Sequence, residues 1–218
     1  FFRHILLENR PVLELLNAKY SFLNENLARF YRVPNVRGRG FRKVEFGEEA
    51  KGRGGILGQG TFLIVTSNPT RTSPVQRGLF VLDNILVTPS PPAPPDVPEL
   101  AQAKREIEKG TMRQLMELHR GKPLCKSCHA RMDPIGLALE NFNAIGQWRD
   151  REEGREIDTA GKLVTGESFA NVLDPKEILA RSRNQAFHRL LTQQVPPHAL
   201  GRGVAHCAAT HVAAPGDR

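Results

Sequence analysis

The sequence predicts a mainly α-helical chain with one small β-hairpin, and three observations carry that prediction. Apolar residues recur at helical spacing, most clearly Val75, Leu79, Leu82 and Leu86, which fall at i, i+4, i+7 and i+11. Helix-start signals precede the helical stretches: Ser73-Pro74 with Gln76, Thr111 with Gln114, and Asp174-Pro175 with Glu177. A proline-rich run from Thr88 to Pro98, TPSPPAPPDVP, can enter neither a helix nor a central strand, and it divides the chain.

In chain order, Ser21 is expected to cap a helix running through Phe22, Leu23, Leu27 and Phe30. Glycine-rich residues 52–60 then lead to a short β-prone run, Thr61 to Thr66. Ser73 starts the helix that carries the apolar stripe. The helix capped by Thr111 places Met112, Leu115, Met116 and His119 on one face. Asp133-Pro134 opens a further helical turn, with Leu137, Leu139 and Phe142 available to pack. Residues 154–168 alternate turn residues with Ile157, Leu163 and Val164, the pattern of a hairpin. A last helix from Asn184 to Gln194 is expected to stop at Pro196-Pro197.

These elements suggest an organisation. Residues 1–88 form a helical domain, the end of a larger upstream one; 89–98 are a semi-rigid linker; 99–150 are a site-bearing module; 151–203 hold the hairpin and C-terminal helices; and 204–218 are a disordered tail. The chain opens on Phe1 in what reads as mid-helix, so it is taken as part of a longer protein, and the lack of a leader says nothing about location.

Composition narrows the function classes. With 31 Lys and Arg against 23 Asp and Glu, the formal net charge is +8, and the isoelectric point is about 9.8. The basic residues are scattered singly and aromatics make up only 6%, so no stacking platform for nucleic acid is present. A solvated basic surface is the simpler meaning. Mean hydropathy is −0.39, and no run of about 18 apolar residues offers a membrane span.

The chemistry concentrates in Cys125-Lys126-Ser127-Cys128-His129. Two thiols three residues apart, followed at once by an imidazole, form the attachment pattern of c-type haem. On one helical turn both sulfurs reach the two vinyl carbons of a porphyrin, and His129 then points at the iron as its proximal ligand. Two of the chain's three cysteines lie here, which is not how a disulfide scaffold uses them. Two rivals stay open. A redox Cys-x-x-Cys should follow a strand, yet Gly121 and Pro123 precede this one. Zinc needs two more ligands, and only His206, Cys207 and His211 are grouped elsewhere, far along the chain.

Several segments resemble a known family, the exported planctomycete-type c-type haem proteins built from domains of unknown function. TSNPTRTSPVQRGLFVLDNIL (Thr66 to Leu86) with the proline tract resembles one of its signatures, and CKSCHARMDPIGLALENFNAIGQWRD (Cys125 to Asp150) a second. IDTAGKL together with HALGRG (His198 to Gly203) resembles a third. The chain departs from the pattern where Val195-Pro196-Pro197-His198 interrupts the last helix. The resemblance implies a cytochrome c-like helical module with one covalent haem c and its iron, at the end of an exported multidomain protein. It implies a cofactor and an address, periplasm or cell envelope, but no substrate.

The sixth iron ligand sets reactivity. Met132 lies only three residues from His129, about 4.5 Å along a helix and on the same side of the ring, so it is read as packing at the ring edge. No methionine follows it. Met116, His188 and His198 are candidates, with Met112 and His119 less favoured; an open iron or a ligand from another domain are the alternatives. Arg71, Arg77 and Arg149 are weighed as partners for haem propionates against ordinary salt bridges. Trp148, the one tryptophan, is weighed as a neighbour of the ring. The glycine-rich stretch lacks the Lys-Ser/Thr of a phosphate loop. Three functions follow: electron transfer to a redox partner protein or adjacent domain, a haem enzyme of peroxidase or oxidase type, and a non-haem zinc-binding interaction module.

Overall fold

The computed structural model describes residues 1–91, 110–119 and 123–200. Most of the linker expected at 89–98, the tail at 204–218 and the group His206, Cys207 and His211 lie outside the described residues. The described part is mainly α, with small antiparallel strand pairs. Its helices are α1 (Phe2–Leu7), α2 (Glu14–Asn17), α3 (Glu25–Tyr31), α4 (Gly60–Val65), α5 (Pro74–Asn84), α6 (Met112–His119), α7 (Pro123–Leu137), α8 (Leu173–Ser182) and α9 (Asn184–Leu200). The strands pair as β1 (Tyr20–Leu23) with β2 (Arg42–Glu45), β3 (Arg151–Glu152) with β4 (Arg155–Glu156), and β5 (Gly161–Lys162) with β6 (Ser168–Phe169).

Helix α5 forms as its sequence signals require. Ser73 Oγ accepts from the Gln76 amide at 3.3 Å, and Pro74 occupies the first turn, where a missing N–H costs nothing. Of the Val75–Leu86 stripe only Leu82 is fully buried, and it shares the deepest face with Arg77, Gly78, Val81 and Ile85, because α5 lies along α7 in the most extensive helix pair of the fold. Helix α6 starts with a complete capping box: Thr111 N–H donates to Gln114 Oε1 at 3.0 Å, and Gln114 N–H donates to Thr111 Oγ1 at 3.4 Å.

One apolar core spans the proline tract. Ile5, Leu16 and Leu63 from the N-terminal side pack in the same cluster as Ile135, Phe142, Leu179 and Phe187 from the C-terminal side. A second cluster gathers Leu23, Ala28, Tyr31 and Val36 around α3 and β1, and a third holds Met112, Met116 and Leu137. Each large side chain buried in this way contributes roughly 1.5–3 kcal/mol.

Six local expectations are corrected. Ser21 caps nothing: residues 20–23 are β1, in register Tyr20↔Glu45 to Leu23↔Arg42, and the cap of α3 is Asn24, whose Oδ1 accepts from the Leu27 amide at 2.9 Å. The partner strand lies some twenty residues on, so no local periodicity reveals it. The β-prone run 61–66 is helical through Val65 in α4: Phe62 and Leu63 are buried while Ile64 and Val65 are exposed, and Thr66 Oγ1 closes the helix on the Phe62 carbonyl at 2.7 Å. Asp133-Pro134 opens no new helix. Pro134 sits inside α7, where its φ suits the helix even though its N–H is missing. Asp174 is not the cap of α8: its carboxylate reaches back to the Ala170 amide at 2.8 Å, and Asn171 Oδ1 accepts from the Leu173 amide at 2.8 Å. Helix α9 runs past Pro196-Pro197 to Leu200, since two prolines delete two hydrogen bonds but their φ remains helical. The expected hairpin at 154–168 resolves into two, β3–β4 and β5–β6.

The glycine-rich stretch before α4 wraps two cations. Lys176 Nζ of α8 donates to the carbonyls of Gly52 and, at 2.9 Å, Gly54. Arg53 donates to the carbonyls of Gly58 at 2.9 Å and Gly146, with its guanidinium 3.7 Å from the Tyr31 ring centre. Burial pulls Arg53 down to about 10. The loop thus turns carbonyls inward, the opposite polarity from a phosphate cradle.

Candidate haem-attachment site

Helix α7 carries the whole motif. Cys125, Cys128, His129, Met132 and Asp133 stand at i, i+3, i+4, i+7 and i+8, which is one face of a helix. That face runs from solvent into the core. Cys125 and Cys128 are free thiols, half-buried; His129 is 8% exposed, Met132 6% and Asp133 0%. Cys128 packs against the main core, and the intervening Lys126 and Ser127 are exposed. The two cysteines therefore stand three residues apart at the more accessible end of the stripe, with the imidazole one step deeper.

His129 Nδ1 lies 2.8 Å from Asp133 Oδ1, in hydrogen-bond contact one helical turn on. An imidazole that uses Nδ1 in this way turns Nε2 to any metal it binds. This set fits a covalently attached haem: thiols available for two thioethers on one face, and a nitrogen ligand whose other nitrogen is already engaged. Among the described residues, no three His, Cys, Asp or Glu side chains are grouped so as to hold a bare metal ion. Haem needs no such group, since the porphyrin supplies four of the iron's ligands.

The other residues weighed from sequence fall as follows. Met116 is buried beside Met112 and Leu137, and Met132 packs in the main core. His188 is half-buried on α9. The side chains of His119 and His198 lie outside the described residues. Trp148 packs edge-on against Phe142 at 5.2 Å and donates from Nε1 to Asp150 at 2.8 Å.

Two of the three arginines are engaged inside the protein. Arg77, 0% exposed, donates to Glu140 Oε1 at 3.2 Å and to the carbonyls of Leu139, Phe142 and Asn143 at 2.9, 2.9 and 3.1 Å. Arg149 donates to Glu140 Oε2 at 2.9 Å, and Thr72 Oγ1 to the same oxygen at 2.8 Å. Burial pushes the Glu140 carboxyl up and pulls Arg77 down to about 10, both against their mutual attraction. Arg77 thus locks the chain after α7 onto α5, while Arg149 braces that chain from within, through Glu140 and Glu152. Arg71 lines a cleft of about 640 Å³ with Arg149 and Glu152, and donates to the Thr72 carbonyl at 3.3 Å. Sequence reading missed Glu140, Lys176 and Asp133 in these roles, because their partners come from distant segments or, for Asp133, because a helix-start signal explained it first.

A larger cleft, about 870 Å³, is lined by Phe1, His4, Phe22, Tyr31 and Gln59 among others. It shares no residue with α7. The site is assigned to α7 on its chemistry, since thiols and a ligand nitrogen in register outweigh cleft size.

Comparison with protein families gives two matches. Residues 53–152, which include Cys125, Cys128 and His129, match the PSCyt3 model, described as a protein of unknown function (DUF1588). Residues 1–33 match the PSD4 model, also described as a protein of unknown function (DUF1592). Both matches are consistent with the planctomycete-type c-type cytochrome domains of unknown function that the sequence resembles. The first spans the proline tract, so two of the signatures read separately from the sequence fall within one matched model. No curated protein and no solved structure matches.

Proposed function

We propose that this chain is a cytochrome c-like module carrying one covalent haem c on Cys125 and Cys128, with His129 Nε2 as proximal ligand to iron, and that it transfers electrons to a redox partner protein or an adjacent domain. The observation that supports this reading is the one-face arrangement of two free thiols and an engaged imidazole on α7. The haem supplies one-electron chemistry at its iron. The chain's own residues do the rest. Cys125 and Cys128 fix the ring covalently, His129 holds the iron, and α7, anchored on α5, keeps the set rigid, which limits the reorganisation that accompanies each electron transfer. The basic surface, net charge +8, suits an acidic partner. Covalent attachment fits an exported protein, in line with the resemblance noted from the sequence. Among the described residues, no helix is long and apolar enough to cross a membrane.

The test is a haem stain on denatured protein after co-expression with an export-coupled haem-attachment system, because thioethers survive denaturation and non-covalent haem does not. The wild type should stain and Cys128→Ala should lose or weaken the band. Full staining of the alanine variant, or an unstained wild type whose mass shows no added tetrapyrrole, overturns the proposal.

A further inference from the structure

We infer that Asp133 is a positioning residue for the iron: it receives the Nδ1–H of His129, fixes the ring so that Nε2 faces the haem, and stabilises the ferric state. The inference rests on the haem reading above. Its observation is the 2.8 Å contact between His129 Nδ1 and Asp133 Oδ1, made by a carboxyl group that is 0% exposed.

A carboxylate this deep is costly to bury unless a hydrogen-bond partner engages it, and the His129 imidazole does so. It stands one turn from His129 on the same rigid helix, so the contact does not depend on a loop. Iron bound at Nε2 leaves that contact intact. An imidazole N–H donated to a carboxylate gives the ring partial imidazolate character, which makes it a stronger donor and favours the higher charge on the metal. Replacing the carboxylate by an amide of the same shape keeps the packing and removes that charge.

The experiment compares the reduction potential of haem-loaded wild type with that of Asp133→Asn. At a fixed ambient potential the variant should hold about tenfold more ferrous iron relative to ferric, which is ~59 mV upward for one electron. Its iron–histidine vibration, where the iron is five-coordinate, should fall in frequency. A purely structural role would lower thermal stability and leave the potential in place, and that result overturns the inference while the haem reading stands. If the wild type carries no covalent haem, both fall. Should Asp133→Asn fail to fold or load, ¹⁵N-histidine NMR of the reduced wild type decides. An Nδ1-bound proton protected from exchange with solvent supports the inference, and rapid exchange or no proton on Nδ1 overturns it.

Discussion

Gly78 of α5 lies directly against the backbone carbonyl of Met132 in α7, so close that a methyl group at Gly78 would overlap that oxygen. The contact is repeated one turn along, where Gly136 faces the carbonyl of Pro74 with equally little room. Two glycines, one on each helix, bring the backbones together in the stretch that also bears His129 and Asp133. The glycine of the Asp133-Pro134-Ile135-Gly136 segment is therefore explained by helix approach rather than by a turn.

From this follows the first prediction. On helix propensity alone, Gly78→Ala or Gly136→Ala should stabilise by about 1 kcal/mol. The overlap with backbone atoms, which cannot rotate away, costs about 1–3 kcal/mol as overpacking does elsewhere, so it decides the sign. Each variant should melt several degrees lower, at about 2–4 °C per kcal/mol for a chain of this size. A rise in melting temperature would refute the close packing of α5 on α7.

A second prediction concerns the Arg77–Glu140–Arg149 lock. Arg77 is fully buried, whereas the Arg149 side chain is 24% exposed. Removing a fully buried partner leaves Glu140 deprived of its deepest counter-charge, and such breaks cost about 3–5 kcal/mol. In urea unfolding, Arg77→Met should therefore lose clearly more stability than Arg149→Met. Equal losses would mean that burial is not what sets the worth of these pairs.

The thiols give a third. In the haem-free chain both Cys125 and Cys128 are free and half-buried, so an alkylating reagent should reach them in the folded state. After haem attachment, peptide mapping under denaturing conditions should find neither position alkylated, because both sulfurs are then thioethers. Alkylation of Cys125 alone would point to single-thioether attachment, and alkylation of both would contradict covalent binding.

What the sequence made legible here was whatever depends on neighbours within a turn or two. The caps at Ser73 and Thr111 need only local geometry, and the helices they start stand where expected. What escaped depends on distant partners. Strand β1 exists because residues 42–45 pair with it, and Arg77 is internal because Glu140 arrives from the far side of the proline tract. Asp133 shows the conflict most plainly. Asp before Pro is a strong local signal for a helix start, but α7 had already begun at Pro123, and the carboxyl turned instead to an imidazole one turn back.

The last prediction uses Lys176, buried beneath the glycine-rich loop with its ammonium on the carbonyls of Gly52 and Gly54. Burial, reinforced by the nearby charge of Arg53, pulls its pKa from an ordinary 10.5 to about 7. In the unfolded chain the amine keeps its ordinary value. Below pH 7 both states are protonated, and the folded state carries the full cost of the buried charge. Between pH 7 and 10.5 the unfolded chain holds a proton that the folded one has shed, so stability gains up to about 1.4 kcal/mol per pH unit. Above that window both are neutral and the gain stops. The side chain's contribution is thus unfavourable in acid and relieved as pH rises. Lys176→Met removes the titration, so the wild type's stability relative to the variant should climb across the window when both are unfolded in urea at successive pH values. A difference that stays flat from pH 7 to 10 would show that Lys176 keeps its proton in the folded protein, held by the carbonyls of the loop.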